Sequence, residues 1–246
     1  MNAIRETPFS RALGKIGEEL PRPKAVLCVS AHWMTQGATR VTHMRNPRII
    51  YDFYGFPQEL FAVQYPAPGD PETAERVMAK SSDPVIQADE GAWGLDHGAW
   101  CVLKHMYPAA DVPVLQLSID MTKGPAFHYA LGRKLKEFRH EGVLLVGSGN
   151  VVHNLRRVNL ADDARPLDWA VAFDEWLKQR LEERDYDSVI HRAMDTTAGK
   201  LSIPTPDHWF PLLYTLGAAD EADSLRFEYE GIENASISMR CLSLGR

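Results

Sequence analysis

Four of the nine histidines stand among neighbours that could make a reactive site. His32 lies in Val29-Ser30-Ala31-His32-Trp33 and His97 in Trp93-Gly94-Leu95-Asp96-His97-Gly98-Ala99-Trp100. His153 ends the run Gly147-Ser148-Gly149-Asn150-Val151-Val152-His153, with Asn154 next, and His208 follows Pro204-Thr205-Pro206-Asp207. Neutral imidazole is the commonest metal ligand among side chains, and it titrates near neutral pH, so it also serves as a general acid or base. Each histidine taken alone is as readily a surface or capping residue. Four of them in Gly-, Pro- and Asp-rich segments point together to a metal site, an acid/base site or both.

Asp96 and Asp207, each beside one of these histidines, suit carboxylates that orient a ligand, and they suit helix N-caps equally well. The remaining histidines read differently. His105 and His128 fall inside helical patterns, His140 ends one, and His43 and His191 occur in polar stretches, so these five are expected in structural or surface roles.

The elements that must position the four are legible as hydrophobic runs. Residues 25–30, 112–119 and 142–147 are short, apolar and rich in β-branched side chains, as buried strands of a parallel sheet are. Residues 125–140 carry Leu131, Leu135 and Phe138 at helical spacing, with Gly142 as a stop, which completes a βαβ unit. His32 and His153 then fall just beyond strand ends, where open α/β sheets bind their ligands. In Gly147-Ser148-Gly149 the small side chains allow backbone to approach a ligand closely. Further helices are expected over 9–20, 70–80, 97–106, 169–184 and 208–216. Residues 225–229 and 236–244 alternate apolar and polar side chains, the pattern of antiparallel or edge strands. The expected fold is α/β, a single domain over 1–246 with a mostly parallel sheet covered by helices and an antiparallel C-terminal extension; the proline-rich stretch 65–71 reads as a structured loop.

Composition narrows the function. With 246 residues, 45% of them hydrophobic and 24% charged, the chain can bury one sizeable core. The formal charge of −6 is spread without acidic or basic blocks, which argues against nucleic acid as a partner. No run approaches the roughly 18 to 20 apolar residues of a membrane span, and the chain opens on polar residues, so a cytoplasmic protein is expected. Cys28, Cys101 and Cys241 form no CxxC pair and read as buried free thiols. Gly147-Ser148-Gly149 is not the GxSxG elbow of a serine hydrolase, and the same segment lacks the GxGxxG pattern of a dinucleotide site.

The motifs around His32, His97, His153 and His208, with Pro113-Val114-Leu115-Gln116-Leu117-Ser118-Ile119-Asp120 between them, together resemble the 4,5-DOPA extradiol dioxygenase family of class III extradiol enzymes, which is related to the catalytic subunit of protocatechuate 4,5-dioxygenase. The resemblance implies Fe(II) for activity, with Zn(II) as another bound metal, and a catechol-type substrate cleaved with O2 beside its two hydroxyls. It implies His32, His153 and His208 as metal ligands, with His153 alternatively the acid/base, and His97 as a catalytic histidine of the substrate pocket. Trp33, Phe53, Tyr54, Phe56, Trp93 and Trp209 are the aromatic residues from which such a pocket could draw. The family opens on a strand and a Gly-His-Gly-Ser-Pro-Met turn whose histidine is a further ligand; Met1-Asn2 falls just after that motif, and a start assigned too late or a truncated gene is the expected reason. Two other readings use the same histidines: a zinc-dependent hydrolase, and a catalytically inactive homologue that binds a metal or small molecule.

Overall fold

The structure, a computed structural model, describes residues 2–161 and 163–245. It resolves into two compact units, the first built from residues up to 123 together with 134–148, the second from 124–133 together with 149 onward.

In the first unit the strands are β1 (Ala25–Thr35), β2 (Thr39–Thr42), β3 (Ile86–Asp89), β4 (Val114–Asp120) and β5 (Val143–Ser148), in the spatial order β3-β2-β4-β1-β5. β1 is the hub, parallel to β4 on one side and to β5 on the other. Val26, Leu27, Cys28, Leu115, Leu117 and Ile119 are at most 1% exposed, so the apolar runs of β1 and β4 are buried on both faces, whereas β5, expected to be buried as well, is half-buried beyond Val143. Each such side chain contributes about 1.5–3 kcal/mol by leaving water. β2 meets β4 antiparallel and is parallel to β3, so the sheet is mixed at that side.

The helices of this unit start where local chemistry tells them to. Helix α1 (Pro8–Glu19) opens on a reciprocal capping box, Thr7 Oγ1 accepting from the Ser10 amide and Ser10 Oγ from the Thr7 amide, with proline at the first helical position. A short α2 (Gln58–Phe61) follows the loop that leaves β2. Asp70 caps α3 (Pro71–Ala79), and Asp96 caps α4 (His97–Met106). α4 lies on β1, and α1 on α4.

Helix α5 (Pro125–Leu135) lies almost wholly in the second unit, and α6 (Glu137–His140) in the first. The sequence pattern makes one helix of 125–140; in the structure a turn at Lys136, which keeps helical dihedrals, separates two helices. The second unit continues with a single 3-10 turn (Leu155–Arg157), α7 (Asp168–Glu182), α8 (Tyr186–His191), α9 (Thr197–Ser202) and α10 (Phe210–Ala218). Ala170, Phe173, Leu177 and Leu181 form the buried stripe of α7 at the expected helical spacing. The C-terminal strands β6 (Ser224–Tyr229) and β9 (Cys241–Gly245) pair antiparallel, as do β7 (Ile232–Glu233) and β8 (Ile237–Ser238). They form two small sheets of their own rather than added strands of the five-stranded sheet. No helix among the described residues is long and apolar enough to cross a membrane. The three cysteines are free thiols, and burial pushes Cys101 and Cys241 up to about 12.

Candidate active site

In the first unit His32 stands inside β1, which runs on to Thr35 instead of stopping at Ser30. Between Val29 and Met34 the register of β1 against β4 shifts, so His32 lies in an extended segment released from regular pairing. His97 is the first residue of α4. The two imidazoles are neighbours, with centroids 3.9 Å apart and planes tilted by 44°.

Between them lies Asp52, which the sequence reading did not single out. Its Oδ1 accepts the His97 amide at 2.9 Å and is also 2.9 Å from His97 Nδ1; its Oδ2 is 3.4 Å from His32 Nδ1. His97 Nδ1 is buried and, among the described residues, in line with no hydrogen-bond acceptor, so its contact with Asp52 is a charge contact without hydrogen-bond alignment. Burial works to raise the Asp52 carboxyl, but His97 and His32 outweigh it and hold it below the ordinary carboxylate range. His32, Asp52 and His97 each offer a donor atom within 4.8 Å of the others. Two imidazoles and one carboxylate are a donor set that suits a divalent first-row metal, non-haem Fe(II) in particular. No sequence spacing signals Asp52; the aromatic loop around it gives the only hint.

A buried network fixes this pair from behind. The Asp96 carboxylate is fully buried and accepts from Ser30 Oγ at 2.7 Å, Gln116 Nε2 at 2.7 Å, Trp93 Nε1 at 3.1 Å and the Ala99 amide at 3.2 Å. Asp96 is thus the helix cap that sequence allowed, and it also ties α4 to β1 and β4. Gly98 makes the closeness feasible, because a Cβ there would stand 2.3 Å from Ser30 Oγ and 2.8 Å from His32 Cδ2.

In the second unit His153 and His208 stack face to face, with centroids 3.5 Å apart and an interplanar angle of 12°. The His153 backbone donates to Ser202 O at 2.9 Å and bridges to Ile237. Asn154 fixes the same segment through Leu201 O at 2.8 Å. His208 precedes α10, and its Nδ1 accepts the Asn150 amide at 3.2 Å while its Nε2 is 3.9 Å from Asp207. To donate to a metal through Nδ1, His208 must give up that amide. Through Nε2 it must carry its proton on Nδ1 instead. The glycine-rich segment serves here as a packing device: a Cβ on Gly149 would stand 2.5 Å from the His208 carbonyl oxygen.

The other sequence candidates divide cleanly. Phe53 packs edge-on to His97 at 5.4 Å, whereas Tyr54 is 91% exposed and Phe56 46%. Trp33 is buried and stacks on the half-buried Trp93 at 5.8 Å, both lining one cavity, whereas Trp209 is buried against Phe173 in the core of its unit. His105 contacts the Asn2 carbonyl, His128 the Tyr214 hydroxyl, and His191 Asp187. His43, read as a residue of a polar stretch, makes a closer set of contacts than that implies, 2.9 Å from Glu90 and 3.4 Å from Glu75.

The chain resembles known proteins over nearly its whole length. The family model described as the catalytic LigB subunit of aromatic ring-opening dioxygenase matches residues 7–239. The chain is 46% identical to a 4,5-DOPA dioxygenase extradiol of Escherichia coli K12 over its whole length, covering 91% of that protein. It is 41% identical to a 4,5-DOPA dioxygenase extradiol of Beta vulgaris, with 81% of this chain and 75% of the relative covered. Among solved structures, a crystal structure of an uncharacterised Escherichia coli K12 protein superposes with a TM-score of 0.84 at 42% identity, covering 97% of this chain and 93% of that one.

Proposed function

Because the chain belongs to the family of the catalytic LigB subunit of aromatic ring-opening dioxygenases, we propose that it cleaves a catechol-type, DOPA-like ring beside its two hydroxyls and inserts both atoms of O2. The observation that supports this reading is His32, a ligand in the proposal, held beside His97 by the shared Asp52 carboxylate, in a family that depends on a non-haem metal. We take residues 1–246 as one catalytic domain at work in the cytoplasm.

The proposal assigns His32, His153 and His208 as metal ligands, Fe(II) as the active metal, and Zn(II) as a metal that the same donors accept. When bound, iron supplies the redox centre through which a deprotonated catechol gives electrons to O2. The chain's residues do the rest. In the alternative role to ligand, His153 takes the catechol hydroxyl proton and returns it as the ring opens, a task suited to an imidazole near neutral pH. His97 donates or accepts a hydrogen bond at the substrate oxygen, and Phe53 against its ring supplies an apolar wall for an aromatic substrate.

The test is an oxygen-electrode assay of protein loaded with Fe(II) under anaerobic conditions, with iron quantified in the same samples. O2 consumption that depends on both catechol and iron is the expected result. Replacing His153 by Ala then distinguishes its roles: an acid/base loses about 10²- to 10⁴-fold in rate at unchanged iron content, and a ligand loses the iron. An iron-replete protein inert towards every catechol tried sinks the assignment, and hydrolysis that proceeds without O2 replaces it with a metallohydrolase.

A further inference from the structure

We infer that Asp52 is a positioning residue whose single carboxylate fixes the tautomer of both His32 and His97, placing the ring proton on Nδ1 and leaving Nε2 as the lone-pair nitrogen in each. What those Nε2 atoms then do, metal donation by His32 and a hydrogen bond to substrate by His97, rests on the proposed function.

The geometry is specific. A neutral imidazole has one N–H and one lone-pair nitrogen, and the partner of one nitrogen decides the state of the other. Both Nδ1 atoms face the same carboxylate, His97 towards Oδ1 at 2.9 Å and His32 towards Oδ2 at 3.4 Å. A lone pair on either Nδ1 would press two electron-rich atoms together in a half-buried site, whereas a proton there makes the contact attractive. The His97 contact has hydrogen-bond length without alignment, a common condition of catalytic contacts before substrate draws them into line.

Asp52 also holds the His97 backbone, because Oδ1 accepts an amide that no turn of α4 can satisfy at the helix start. One side chain thereby sets both the position and the protonation of His97 and couples it to His32. The competing role is direct ligation, with an ion held among Asp52 and the two Nδ1 atoms. The two roles differ in which ring nitrogen carries the proton.

The deciding measurement is long-range ¹H–¹⁵N correlation on the full-length, metal-free protein with ¹⁵N-labelled histidine, at about pH 8, above the ordinary histidine pKa of ~6.5. Both rings of the wild type are expected as the Nδ1–H tautomer, and in Asp52→Asn both should become mixtures. Zn(II) titration of the same variant should show about 10- to 100-fold weaker binding, the scale of losing a group that orients a ligand. A wild-type spectrum with a lone pair on either Nδ1 overturns the inference, and so does an unchanged tautomer pattern in Asp52→Asn. Zinc loss as complete as in His32→Ala, with tautomers unmoved, makes Asp52 a ligand and also overturns it. If Asp52→Asn does not fold, the wild-type spectrum alone decides. Neither metal nor catechol enters the tautomer measurement, so its outcome stands apart from that of the dioxygenase assay.

Discussion

The two histidine pairs are built on opposite electrostatic plans. His32 and His97 turn Nδ1 towards a carboxylate, whereas His208 turns Nδ1 towards a backbone N–H and stacks on His153. The supporting networks differ as well. Behind the first pair, Asp96 is buried among neutral donors, with no cation paired to it among the described residues. Behind the second, Asp174 is neutralised by Arg240 at 2.5 Å and accepts from Ser238 Oγ at 2.6 Å. Ser238 in turn accepts from Asn150 Nδ2 through its carbonyl and donates its amide to Val152. The same residue type is thus prepared for two tasks: a carboxylate makes an imidazole a better electron donor, and an amide donor leaves the far nitrogen holding a proton.

Arg240→Met breaks the second plan at its root and has the largest expected effect on stability. The Arg240 side chain is 1% exposed and Asp174 7%, so the change strands a buried charge, costing about 3–5 kcal/mol. Urea unfolding measures the loss, and histidine NMR should show His153 and His208 resonances moving while those of His32 and His97 stay. Equal movement in both pairs would mean that the networks are not independent.

Alanine at the two packing glycines sharpens the comparison at a smaller scale. Gly98→Ala drives a methyl into Ser30 and His32, and Gly149→Ala drives one into the His208 carbonyl. Each is expected to cost about 1–3 kcal/mol, the range for overpacking. Gly98→Ala should perturb the His32 imidazole and Gly149→Ala the His208 ring, read by the same NMR experiment.

The smallest effect belongs to Glu230 at the rim of the Arg240 network. Burial tends to raise its carboxyl, but Lys178 and Arg240 prevail and hold it below the ordinary glutamate range. A depressed folded pKa stabilises the protein above the unfolded value of about 4.3 and ceases to do so as pH falls through the folded value. Glu230→Gln should therefore flatten stability against pH only below about pH 4.5, and modestly, since the side chain is 38% exposed. The variant should be less stable than the wild type at neutral pH and converge on it as pH falls; a loss of stability that appears only at acid pH would contradict the sign.

What sequence could reveal follows from how far apart the partners lie in the chain. β1 and β4 are continuous apolar runs because they are buried on both faces, and α4 announces itself through Asp96 and its helical spacing. β2 and β3 are four residues each, Thr39–Thr42 and Ile86–Asp89, too short for any period to show. The four candidate histidines stand out in the sequence through their neighbours. Asp52 was not, since its role depends on contacts to residues 45 positions ahead and on a different strand behind. In the sequence the small residues of Gly147-Ser148-Gly149 suit a close approach to a ligand, but at Gly149 the approaching group is the His208 backbone.

The interleaving of the two units has a consequence for synthesis on the ribosome. Residues 124–133 belong to the second unit, yet they are translated inside the first, and their His128 finds its Tyr214 hydroxyl partner 3.0 Å away only when the distant α10 has been made. Tyr214 emerges about 80 residues after Arg133, a delay of roughly 4–16 s at about 5–20 residues per second. Throughout that interval the nascent chain carries a helix-forming segment whose own unit does not yet exist. The sheet around β1 can close as soon as residue 148 is out, so the His32–His97 pair is vectorially the earlier of the two, and a ribosome stalled after residue 148 has emerged but before His208 is made would display a carboxylate-bound pair with no stacked one.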